Sequence, residues 1–128
     1  MLDELTVRAI AQDVVDKAKQ TAHVDQGSLR KSIAYTYIRG LVTFRELYYG
    51  QWNNNSELED LAKRLIPNGI AWGIVYTKLG GDTYEVGKTK QGRAIQRNVI
   101  ATILRTGTTN AKKLILKARG KKKDKGTD

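Results

Sequence analysis

Side chains able to do covalent or acid–base chemistry are few in this 128-residue chain, and their spacing gives them nothing to do together. His23 is the only histidine and cysteine is absent. That removes thiolate nucleophiles, disulfide frameworks and cysteine zinc sites at once. No carboxylate pair stands at a spacing that implies shared proton transfer. Glu57, Glu59 and Asp60 are close neighbours, but they open a helical pattern, where acidic side chains complement the dipole and face solvent. Gly80-Gly81 lacks the lysine and the following helix of a phosphate loop. No catalytic, cofactor-binding or metal site is expected, and the chain reads as a non-enzyme without a small-molecule substrate.

Charge is the chemistry that remains. The formal net charge is +10. Residues 1–105 hold 15 basic and 11 acidic side chains, whereas residues 106–128 hold 8 and 2. The basic set is Lys112, Lys113, Lys117, Arg119, Lys121, Lys122, Lys123 and Lys125. A concentrated cationic segment favours polyanions through counterion release, so these residues are expected to contact DNA or an acidic protein surface. Leu114-Ile115-Leu116 is expected to make a helical turn or strand that docks on a partner, with the lysines beyond Gly120 solvated. No apolar run approaches the roughly 18 residues that span a bilayer. The acidic start, Met1-Leu2-Asp3-Glu4-Leu5, lacks the order of a secretory signal. Neither a membrane partner nor export is expected.

The elements that position these groups follow from periodicity. Val7, Ile10, Ala11, Val14, Val15 and Ala18 recur at helical spacing and leave Arg8, Asp13, Asp16, Lys17 and Gln20 on the other side. Ile33–Ile38 and Leu41–Tyr49 alternate as strands about Arg39-Gly40. Ser56-x-x-Glu59 has the form of a capping box, and the helix it opens through Leu58, Leu61, Ala62 and Leu65 stops at Pro67-Asn68-Gly69. Residues 70–78 and 83–87 pair as a second hairpin. Helical spacing returns over residues 91–105 at Ile95, Val99 and Ile103, and Thr106-Gly107-Thr108 breaks it.

The expected fold is therefore α+β. Two hairpins make a four-stranded antiparallel sheet, N-terminal and C-terminal helices pack on it, and a short helix lies between the hairpins. The domain runs over residues 1–105 and a basic tail over residues 106–128. Both faces of the strands carry apolar groups, which predicts cover on two sides from helices or a neighbouring subunit. Tyr48, Tyr49 and Trp52 end a strand as an aromatic cluster, either a rim of the core or an intersubunit contact.

Between the first helix and the first strand lies His23-Val24-Asp25-Gln26-Gly27-Ser28-Leu29-Arg30-Lys31-Ser32-Ile33. Gly27 permits a positive φ at the bend, and Asp25 and Ser28 offer oxygens to free backbone N–H groups. Val24, Asp25, Gly27, Leu29, Arg30, Ser32 and Ile33 together resemble the tail-completion, or head–tail joining (neck), proteins of tailed bacteriophages. That family often carries Pro-Val-Asp-Thr-Gly-x-Leu-Arg-x-Ser-Ile after its first helix; here His23 replaces the proline and Gln26 the threonine. The resemblance covers residues 7–50, and the helix at Leu58 departs from the family's minimal pattern.

The resemblance implies a structural virion protein, a homo-oligomeric ring at the phage neck or upper tail that joins head connector to tail. Portal, connector or tail proteins would be its neighbours, with DNA in the lumen. Its place would be the virion, and the host cytoplasm during assembly. A second reading is a cellular nucleic-acid-binding module, with Tyr35, Tyr37 and Tyr76 stacking bases and the lysine tail holding phosphates.

Overall fold

A computed structural model of the chain describes residues 2–22, 27–51, 56–77, 83–86 and 99–126. Helix α1 (Glu4–Thr21) starts at Asp3, whose carboxylate accepts from the Thr6 N–H at 2.8 Å, with Glu4 in the first turn and Lys19 in the last. Both charges suit the dipole. Its buried set includes Asp13 and Thr6 as well as the apolar stripe, because α1 packs against β1 (Ala34–Ile38) and also against α3 (Leu58–Leu65), α4 (Val99–Thr106) and α5 (Thr109–Gly126). It is the hub of the domain.

The short helix α2 (Gly27–Ser32) leads into β1, and β2 (Leu41–Leu47) returns antiparallel to it. Arg39 and Gly40 both have positive φ, 52° and 81°. That is the mirror-image turn which matches the twist of a two-residue hairpin. A 3-10 turn (Tyr48–Gln51) and α3 then separate β2 from β3 (Ala71–Thr77), and β4 (Thr83–Val86) pairs antiparallel with β3.

The sheet order is β1-β2-β3-β4, and β2 and β3 are parallel, with Val42 opposite Trp72, Phe44 opposite Ile74 and Glu46 opposite Tyr76. The expected antiparallel sheet from two hairpins is thus overturned: the sheet is mixed. A hairpin reverses the chain in place, whereas a connection that spends its length on a turn and a helix returns it to the end of the sheet where β2 began. Five helices, rather than three, accompany the sheet.

Val42, Phe44, Glu46, Trp72, Ile74 and Tyr76 form the buried face, where the Phe44 and Trp72 rings meet edge to face at 6.3 Å. On the other face Ala34, Thr36, Ile38, Leu41 and Arg45 are exposed. Among the described residues no helix of this chain covers these positions. The capping box does not close either. The Ser56 N–H donates to the Gly50 carbonyl at 3.0 Å, and the Ser56 hydroxyl accepts from the Leu58 N–H at 3.5 Å while donating to Glu46 Oε2 at 2.5 Å.

At the C-terminal end, α4 buries Val99 and Ile103, and Gly107 follows. A side chain at Gly107 would collide with the Ile103 carbonyl oxygen, to which the Gly107 N–H donates at 2.7 Å. Thr108 then starts α5. Its N–H donates to Asp13 Oδ1 at 2.7 Å and its hydroxyl to Asp16 Oδ2 at 2.8 Å, while Lys17 pairs with the other Asp13 oxygen at 3.0 Å. Asp13 and Asp16, expected on the solvent side of α1, instead anchor α5. Ala111 and Ile115 join the same core as α1, so Ile115 serves this chain rather than a partner.

Candidate assembly surfaces

The corner motif ties the end of α1 to the end of β2. Leu29 and Ile33 are fully buried. Ser32 Oγ donates to the Leu29 carbonyl at 2.6 Å and accepts from the Leu47 N–H at 3.0 Å. The Arg30 guanidinium donates to the Ala22 carbonyl at 3.4 Å, at the C-cap of α1, where a cation is favoured. Gly27 is the first residue of α2, and Val24 and Asp25 lie outside the described residues. The described part of the motif thus bonds to both the C-cap of α1 and the end of β2.

Tyr48 and Tyr49 lie in the 3-10 turn, half-buried and packed on the core; Trp52 lies outside the described residues. Tyr35 and Tyr37 are half-buried on the helix-covered face, Arg8 sits 5.7 Å from the Tyr37 ring centre, and Tyr76 is buried. Stacking on bases needs open ring faces, and these three rings are engaged with the chain's own core.

Two exposed regions remain. One is the β1–β2 hairpin tip, where Ile38 is 64% exposed and Leu41 stands opposite it. The other is the outer face of α5. Ala111, Ile115 and Ala118 bury one stripe at helical spacing, which turns Lys113, Leu116, Lys117 and Arg119 outward, with Leu116 57% exposed among them. Lys112 is half-buried, and the backbone of α5 continues through Lys121, Lys122, Lys123 and Lys125 to Gly126.

Sequence reasoning placed Glu46 on a strand face with Val42 and Phe44 and assigned it no role. The side chain is 2% exposed, with the Ser56 hydroxyl as its hydrogen-bond donor. Burial pushes its carboxyl up to about 7; Ser56 partly offsets this and the Glu59 charge adds to it. A glutamate alternating in register with apolar residues is the sequence signal that marks such a group.

Clefts form among the described residues, one of them lined by Ile10, Asp13, Arg64, Val99 and Ile103 between α1, α3 and α4. The one lined by Leu2, Asp3, Thr6, Ile100, Ile115, Ala118 and Arg119 offers a helix cap and one guanidinium to an apolar floor. Among the described residues no three His, Cys, Asp or Glu side chains are grouped to hold a metal, and no helix is long and apolar enough to cross a membrane.

The family comparison gives this mixed sheet with its docked α1 a class. The family model described as "Bacteriophage HK97-gp10, putative tail-component" matches residues 3–112, from the cap of α1 into the first turn of α5. The chain belongs to this family of HK97 gp10-like phage tail components. It is a structural protein of the virion tail, a role that sets it among other virion proteins. No curated protein and no solved structure matches the chain.

Proposed function

We propose that the protein forms an oligomeric ring at the phage neck or upper tail and joins the head connector to the tail. The family match over residues 3–112 carries this reading. Two features support it. The exposed hairpin tip and the outer face of α5 belong to different elements, and a contact between unlike patches of identical subunits closes into a ring when its rotation allows. Tyr48, Tyr49 and Trp52 contribute to the subunit contact. On the outer face of α5 Lys113, Lys117 and Arg119 are exposed, and the basic side chains of residues 106–128 grip a neighbouring subunit or DNA in the lumen. Assembly takes place in the host cytoplasm.

Light scattering coupled to size exclusion, with imaging of the particle, tests the ring. A discrete, closed oligomer is the expected result. A chain that stays monomeric at every concentration, alone and with its connector neighbours, overturns it. A gel-shift salt series tests the lumen contact: replacing Lys113, Lys117 and Arg119 with glutamine lowers both affinity and salt slope if DNA is the partner. Removing α5 altogether would be a poor test, since Ile115 belongs to the core.

A further inference from the structure

Glu46 is buried within the fold of the single chain. Its carboxyl lies beneath the 3-10 turn: a side chain at Gly50 would come within 2.9 Å of Glu46 Oε2 and 2.8 Å of Leu29 Cδ1, so only glycine lets the turn settle there. The Ser56 N–H donates to the Gly50 carbonyl at 3.0 Å, and the Ser56 hydroxyl donates to the carboxyl at 2.5 Å. Turn, carboxyl and the approach to α3 are closed into one unit.

Every element around that unit brings titratable or charged groups. Tyr76 stands opposite on β3, Tyr48 and Tyr49 lie in the turn, and Arg30 on α2 is directed at the Ala22 carbonyl. On α3, Glu59 is paired with Lys63 at 3.1 Å. Among the described ion pairs none includes Glu46, and the nearby Glu59 charge opposes its ionisation. A buried carboxylate without a cation is costly, whereas its neutral form is tolerated.

We propose that Glu46 is a proton-controlled latch: with its carboxyl neutral the 3-10 turn and the start of α3 are held on the sheet, and loss of the proton releases them while α1 stays folded. Opening lets water reach the carboxylate, so the ionised form favours the open state. Burial's upward push on the carboxyl, to about 7, sets the latch near neutrality. Because the released segment carries Tyr48 and Tyr49, a consequence for assembly rests on the proposed ring; the latch itself does not.

Hydrogen exchange of the full chain, corrected for the intrinsic pH dependence of exchange, tests it. Opening of peptides covering residues 48–51 and 58–61 is expected to rise on the order of 50-fold between about pH 5 and about pH 8 relative to α1, and to be flat in Glu46→Gln. A wild-type crossover that does not respond, a rise retained in Glu46→Gln, or a rise shared by α1 overturns the latch. Should the variant fail to fold, carbon-detected titration of Glu46 in the wild type decides: a midpoint in the ordinary carboxylate range overturns it. Light scattering at the same pH values separates the two proposals. A ring with an unresponsive crossover defeats the latch alone, and a responsive crossover without a ring defeats the ring alone.

Discussion

Among the described residues two carboxylates are buried in the core, and their surroundings differ. Asp13, 4% exposed on α1, receives the Thr108 N–H on one oxygen and Lys17 on the other. Glu46, 2% exposed on β2, receives the Ser56 hydroxyl and lies near a second carboxylate. The first joins elements 95 residues apart in the chain; the second closes a local crossover. A buried charge with matched donors works as a staple, and one without them makes the local structure depend on its proton.

Breaking the staple should have the largest effect. Asp13→Ala leaves Lys17 and the Thr108 N–H without their buried acceptor and is expected to cost about 3 kcal/mol, read by denaturant unfolding. A loss under about 1 kcal/mol would mean that water replaces the carboxylate and that the contrast with Glu46 is smaller than the geometry implies.

Glu46→Gln tests the other side. The folded value lies above the ordinary one, so the folded state holds more protons between about 4.5 and about 7. Stability is therefore fully present below that window, is lost as pH rises through about 7, and is level beyond it. The glutamine variant should remove this slope, worth roughly 2–3 kcal/mol between about pH 5 and about pH 8, in thermal melts across pH. A persistent slope would place the titration on another group.

Gly50→Ala presses a methyl group between Leu29 and the Glu46 carboxyl and should destabilise by about 1–2 kcal/mol, more at high pH than at low. Equal losses at both would uncouple turn from carboxyl. Smallest in stability, within about 0.5 kcal/mol, is Leu116→Ser on the exposed face of α5. Its expected effect is on oligomer size by light scattering, and an unchanged oligomer would remove Leu116 from the contact.

The same contrast explains what could be read from the sequence. Periodicity located α1, α3, the first hairpin and the end of α4, because each has an apolar stripe of its own; seven positions around Gly27 pointed to the phage family. Strand direction was missed because the sheet turns on where the long connection returns, which local alternation does not encode. Ser56 was read as half of a capping box because Ser-x-x-Glu is a local pattern; its oxygen accepts from the Leu58 N–H, and its hydroxyl also donates ten residues upstream to Glu46 on β2. Asp13 and Asp16 passed for solvent-facing residues because, beyond local partners on α1, the Thr108 groups that engage them lie more than 90 residues away. Sequence reveals polar groups that serve their neighbours in the chain far better than those that serve distant ones.

The Asp13–Thr108 staple also ties folding to the order in which elements appear. Helix α1 precedes α5, with Asp13 and Thr108 95 residues apart, and a nascent chain still short of Thr108 carries α1 with an uncovered flank, so closure of this domain waits for α5. Chains truncated before Ile115 should therefore be insoluble, because the flank of α1 that α5 covers stays open to self-association.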